Sequence, residues 1–245
     1  MNGITHTLCI AHRGFSGSYP ENTLLAFEKA IEAGADGIEL DVHLSKDGVP
    51  VICHDEELNR TTNGSGLLCE YTLEELKTFD ASYIYKGKYG VNRIPTLREY
   101  FELIQATRLI TNIELKNGCI DYPGLEQKVL ELIDEFRLRG RIILSSFNHY
   151  SVQRAKRLAP DIPCGLLYDA WLVNAQDYCK DVGADCLHPS YYCLTQEAVS
   201  TYLAAGLQIN TWTVNDPEDM RRLASLGVTA VITNYPDRFL EAVGR

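Results

Sequence analysis

Short runs rich in β-branched and apolar residues alternate with amphipathic stretches along nearly the whole chain. The runs at 8–11, 37–42, 109–115, 141–145, 164–167, 185–187, 207–211 and 229–233 predict strands. Between them, 24–33, 125–138, 152–158, 196–205 and 217–226 carry apolar positions at helical spacing. Helix ends have chemical signals. Asn22 precedes the first helix, Gly34 ends it, and Asn215-Asp216-Pro217 places a cap and then proline at another helix start. Eight strands, each followed by a helix, in 245 residues predict a (β/α)₈ TIM barrel rather than a doubly wound open sheet. A dinucleotide-binding open sheet finds no support, because no GxGxxG opens the first helix.

One segment breaks the rhythm. After the second strand, Lys46-Asp47-Gly48 reads as a tight turn and 49–53 as its return strand, ending in Cys53-His54-Asp55. Residues 56–93 then hold Asn59-Arg60-Thr61-Thr62-Asn63-Gly64, a short helix signal at 72–77 and a Gly/Tyr/Lys-rich stretch. The expectation is one domain over residues 1–245, with 56–93 inserted as a lid over the barrel mouth.

Composition narrows the field. Hydrophobic residues at 45% supply a large core, and the formal charge of −10 argues against an extended nucleic-acid surface. No run approaches the roughly 18 uninterrupted apolar residues of a membrane span. Residues 1–9 lack a basic segment followed by an apolar one, so no secretory leader is expected. Eight cysteines lie without a CxxC pair and several fall inside strand runs. They read as reduced core thiols, and a cytoplasmic location follows.

In a parallel barrel the carboxyl ends of the strands face the catalytic mouth. The first strand runs into Ala11-His12-Arg13-Gly14, and the second ends Glu39-Leu40-Asp41, with both acids on one face. The hairpin ends at His54, and the next strand ends Glu114-Leu115-Lys116. A lone carboxylate there usually makes a salt bridge or a cap. Glu39, Asp41 and Glu114 converging would repel unless a cation sat among them. Oxygen-only donors favour a hard ion, Mg²⁺ or Ca²⁺, over zinc, and mutual neutralisation by Arg13 and Lys116 is the blander account. Two imidazoles suit acid–base work, a guanidinium and an ammonium suit phosphate, and a phosphodiester needs all of them, because its alkoxide leaving group needs a proton.

These residues resemble a known pattern. His12-Arg13-Gly14, Glu21-Asn22-Thr23, Glu39-Leu40-Asp41-Val42, Asp47-Gly48-x-Pro50-Val51, His54-Asp55 and Thr61-Thr62-Asn63-Gly64 look like the glycerophosphodiester phosphodiesterase family. Ile94-Pro95-Thr96-Leu97, Ile113-Glu114-Leu115-Lys116, Ser145-Ser146-Phe147 and Trp212-Thr213-Val214-Asn215 continue the match in the family's order. The resemblance implies hydrolysis of glycerophosphodiesters to sn-glycerol 3-phosphate and an alcohol. It implies His12 and His54 as the acid–base pair, Glu39, Asp41 and Glu114 as ligands of one divalent cation, and Arg13 and Lys116 on phosphate. It also admits attack by a glycerol hydroxyl through a cyclic phosphate, beside direct attack by water.

Other assignments are local. Glu21 and Asn22 stand close enough to support His12 or Arg13, although Asn22 also reads as a cap. Trp212 and Phe147 are candidates for an apolar wall against the glycerol carbons, with core packing the alternative for Phe147. His188, at the sixth barrel strand's end, is expected to be partly exposed and substrate-facing. His43 is expected to face away from Asp41, and His6 and His149 have no strand-end placement. Three alternatives stay open: a lysophospholipid-cleaving relative, marked by an aromatic surface near the mouth, with Tyr83-Ile84-Tyr85 and Tyr89 as candidates; a glycoside hydrolase, opposed by the clustered cations; and a non-catalytic phosphoglycerol binder.

Overall fold

A computed structural model describes residues 6–245; residues 1–5, part of the segment read for a leader, lie outside it. Strands β1 (Leu8–His12), β2 (Gly37–Leu44), β4 (Ile110–Leu115), β5 (Ile142–Ser146), β6 (Cys164–Tyr168), β7 (Cys186–Pro189), β8 (Gln208–Thr211) and β9 (Ala230–Thr233) form one parallel sheet. β1 pairs with both β2 and β9, which closes it into a (β/α)₈ TIM barrel. β3 (Pro50–Ile52) is the return arm of a hairpin, antiparallel to the end of β2. The turn between them uses Gly48 at φ +76°, where a Cβ would be strained.

β2 explains the long buried runs. All eight of its residues are buried. Ile38, Leu40, Val42 and Leu44 join the core between sheet and helices, so the alternate set, Glu39, Asp41 and His43, faces the barrel axis. The helix ring comprises α1 (Leu24–Glu32), α3 (Leu97–Ile104), α4 (Leu125–Glu135), α5 (His149–Leu158), α6 (Ala175–Val182), α7 (Gln196–Ala204), α8 (Pro217–Leu226) and α9 (Pro236–Ala242), with α2 (Leu73–Leu76) in the segment after β3. α3 goes beyond the sequence expectation, yet it carries a capping box between Thr96 and Glu99 and buries Leu97, Tyr100, Phe101 and Ile104.

Residues following β3 pack under their own apolar cluster, which includes Val51, Leu58, Leu68, Leu76 and Ile94. They also reach the loop between β1 and α1: the Tyr85 hydroxyl donates to the Tyr19 carbonyl, and that of Tyr89 donates to Ser18. All eight cysteines are free thiols, six of them buried, while Cys119 is exposed. Among the described residues no helix is long and apolar enough to cross a membrane.

Candidate active site

Parallel register sets the centre of the mouth. Glu39 lies beside Asn112 and Asp41 beside Glu114 across the β2–β4 ladder, so four polar side chains of two strands share one patch of the barrel interior. One carboxylate oxygen each from Glu39, Asp41 and Glu114 fall within 4.8 Å of one another, and all three residues are buried. The two nearby cations do not neutralise this set evenly. Lys116 Nζ donates to Glu114 Oε1 at 2.9 Å and lies 3.7 Å from Asp41 Oδ1. Arg13 Nε is 3.4 Å from Asp41 Oδ2, while its Nη1 is committed to Glu21 Oε1 at 2.9 Å. Glu39 Oε2 accepts the Arg13 backbone N–H at 3.0 Å, with His12 Nε2 3.9 Å away, beyond hydrogen-bond reach.

The protonation equilibria reflect that imbalance. Burial, then the charges of Asp41 and Glu114, push the Glu39 carboxyl well above the usual range. Burial and Asp41 raise Glu114 to about 7. Burial acts upward on Asp41 too, but Arg13 and Lys116 outweigh it and hold that carboxyl far below the usual range. Asp41 Oδ1 is buried with no hydrogen-bond partner among the described residues. Three hard oxygens, an orphaned Asp41 Oδ1 and too little positive charge fit a divalent cation. Arg13 and Lys116 alone do not offset the Glu39 carboxylate, which stays raised well above its usual range despite the Arg13 charge and backbone N–H.

Two histidines flank this cluster and are oriented alike. His12 Nδ1 donates to Asn234 Oδ1 at 2.6 Å, leaving Nε2 toward Glu39. Burial, reinforced by Arg13, lowers the His12 pKa to about 4, so its ring is neutral at physiological pH. His54 Nδ1 faces Asp55 Oδ1 at 2.5 Å. Both rings line a cavity of about 80 Å³ with Arg13, Glu39, Glu114, Phe147 and Trp212. The Phe147 and Trp212 rings meet edge to face at 5.5 Å, and Phe147 is exposed rather than packed in the core. Trp212 Nε1 donates to the His188 carbonyl at 2.7 Å, which fixes the indole.

Three expectations are overturned. Asn22 does not cap α1: Thr23 does, accepting the Ala26 N–H, while Asn22 sits at φ +55° and donates from Nδ2 to Asp41 Oδ2 at 2.8 Å. Its side chain thus supports Asp41, while its backbone N–H donates to the Arg13 carbonyl at 3.0 Å and Glu21 holds the Arg13 guanidinium, as expected. His188 is not partly exposed. It is fully buried because β7 continues to Pro189 and carries its ring inside the barrel, where Asn210 Nδ2 donates to its Nε2 at 2.9 Å. His43 does not face away from Asp41. Two residues on along an extended strand it shares that face, and its Nε2 bonds the His54 carbonyl at 3.2 Å.

The structure also adds residues absent from the strand-end reading. Asn234 holds His12 from the end of β9, 222 positions away, a pairing that sequence spacing does not reveal. Asp55 does so for His54 from the next position, and its adjacency was the available signal. Asn112 lines the cavity with a buried Oδ1 that has no partner among the described residues.

A model of the glycerophosphoryl diester phosphodiesterase family matches residues 12–238. The chain is 46% identical over 237 residues to a glycerophosphodiester phosphodiesterase of Caldanaerobacter subterraneus, covering 97% of this chain and 98% of that one. It is 44% identical to a glycerophosphodiester phosphodiesterase of Bacillus altitudinis, covering 95% and 96%. A phosphodiesterase structure from Oleispira antarctica, solved with the product sn-glycerol-3-phosphate, superposes with a TM-score of 0.88 at 34% identity, covering 98% of each chain.

Proposed function

The chain belongs to the glycerophosphoryl diester phosphodiesterase family and is a glycerophosphodiester phosphodiesterase, and we propose that His12, His54 and the three-carboxylate cluster carry its reaction. The substrates are glycerophosphodiesters such as glycerophosphocholine or glycerophosphoethanolamine, and the products sn-glycerol 3-phosphate and an alcohol. The product bound in the Oleispira antarctica relative supports that assignment. The observation that carries the site reading is the cluster itself: three carboxylate oxygens within 4.8 Å, with two histidines on the cavity wall beside them.

Glu39, Asp41 and Glu114 would hold one divalent cation, Mg²⁺ or Ca²⁺. Bound there, such an ion draws charge from phosphoryl oxygens and makes a nearby hydroxyl or water more acidic. Arg13 and Lys116 stand at the same patch to receive the phosphate, the guanidinium as a planar fork and the ammonium as a point charge. His12, held neutral by burial and anchored through Nδ1, presents Nε2 to take the proton of the attacking oxygen. His54, with the Asp55 carboxylate behind its ring, is placed to protonate the leaving alcohol. Each such transfer typically contributes about 10²–10⁴ in rate. Trp212 and Phe147 form the apolar wall for the glycerol carbons, and residues 56–93 act as the lid.

Exposed Phe147, Tyr150, Trp171, Val173 and Tyr192 follow barrel strands at the mouth end and support a second reading, cleavage of lysophospholipids. One assay separates the two: purified protein on glycerophosphocholine, glycerophosphoethanolamine and a lysophospholipid, with the released choline or ethanolamine as readout, because a lysophospholipid leaves an acylated glycerol phosphate rather than sn-glycerol 3-phosphate. Turnover of the first two supports the main reading, and turnover of the lysophospholipid alone supports the second. His54→Ala is expected to lose most turnover while remaining folded; near-normal rates would remove His54 from the acid–base pair.

A further inference from the structure

Arg60 lies in the segment after β3 and does not line the catalytic cavity, yet its guanidinium joins two of the site's supports. Nε donates to Asp55 Oδ2 at 2.6 Å, and Nη2 reaches Asp55 Oδ1 at 3.1 Å. Nη1 and Nη2 donate to Glu21 Oε2 and Oε1 at 2.8 and 2.7 Å. Asp55 Oδ1 also faces His54 Nδ1, and Glu21 Oε1 also accepts from Arg13 Nη1. The unbroken chain is His54–Asp55–Arg60–Glu21–Arg13.

We infer that Arg60 is a positioning residue that locks the His54 imidazole and the Arg13 phosphate fork into one frame. The inference rests on the roles proposed above for His54 and Arg13. A guanidinium is suited to the task because its five donors lie in one plane and can serve two carboxylates at once, which a lysine ammonium cannot do with fixed geometry. Half-exposed ion pairs of this kind add little to folding stability, so stability alone gives a weak reason for so complete a set of bonds. Without Arg60, Asp55 is free to turn away from the His54 ring. Glu21 then has a single cationic partner, Arg13, and draws that guanidinium off the phosphate position. The segment after β3 thus contributes directly to catalytic geometry.

The test compares wild type with Arg60→Ala and Arg60→Lys in steady-state hydrolysis of glycerophosphocholine, with thermal unfolding measured in parallel. Both variants are expected to lose roughly 10–100-fold in kcat, the usual effect of removing an outer support, with a smaller change in KM. Millimolar guanidinium ion is expected to restore part of the kcat of Arg60→Ala, because the vacated position opens to solvent, and to leave wild type and Arg60→Lys unimproved. A kcat within about twofold of wild type for both variants would overturn the inference. So would a loss in Arg60→Ala that follows reduced thermal stability and shows no guanidinium rescue; should Arg60→Ala not fold, kcat of Arg60→Lys decides alone. A wild-type protein inactive on glycerophosphocholine would instead refute the functional reading on which the inference stands.

Discussion

His12 Nδ1 is bonded to Asn234 Oδ1 at 2.6 Å, a contact between the end of the first strand and the residue that follows the last strand of the closed barrel. It selects the tautomer in which Nε2 is the basic nitrogen and aims that nitrogen at the cluster. Asn234→Ala is expected to lower kcat roughly tenfold or more with little change in thermal stability, as for other groups that orient a reacting side chain. Asn234→Asp keeps the acceptor and should retain more activity than Asn234→Ala. Steady-state kinetics of the two variants checks the order.

His188 and Gly165 are a matched pair inside the barrel. A Cβ on Gly165 would stand 2.3 Å from His188 Nε2. Gly165→Ala is therefore expected to cost about 1–3 kcal/mol, the range for overpacking, and much less in a His188→Ala background. Denaturant unfolding of the four proteins in that cycle measures the coupling.

The same burial sets a pH dependence. Burial lowers the His188 pKa from 6.5 to about 3, so the native state holds it neutral while the unfolded chain takes up a proton. Its contribution to stability is complete above pH 6.5 and is lost as pH falls toward 3, at up to about 1.4 kcal/mol per pH unit. His188→Gln should show a shallower loss of stability between pH 6.5 and 4 than wild type. Equal slopes in urea titrations would contradict this.

Trp212 is held by the His188 carbonyl and packed against Phe147, so its face is fixed before substrate arrives. Trp212→Ala is expected to raise KM for glycerophosphocholine by about tenfold, equivalent to roughly 1.4 kcal/mol of lost contact. Trp212→Phe keeps an aromatic face and should raise it less.

Much of this architecture was legible because each barrel strand is buried on both faces, which leaves apolar runs between amphipathic stretches. Polar residues interrupt those runs at the carboxyl ends, and Glu39, Asp41, Glu114, His12 and His54 stand out for that reason. What stayed hidden depends on closure and on the extent of single strands. Asn234 meets His12 only once β9 pairs with β1. His188 lies inside because β7 continues one residue past it, and strand ends are the least sharp feature of a sequence pattern. Asn22 and Thr23 are both good capping residues, and only the fold assigns the cap to Thr23 and leaves Asn22 for Asp41.

The central claim is a divalent cation held by Glu39, Asp41 and Glu114 between two histidines. Its most direct test is glycerophosphocholine turnover by one protein sample before EDTA, in EDTA, and after Mg²⁺ or Ca²⁺ is returned in excess. Turnover is expected to be lost in chelator and to recover with metal, with no recovery for Asp41→Asn. Undiminished turnover in EDTA would contradict it.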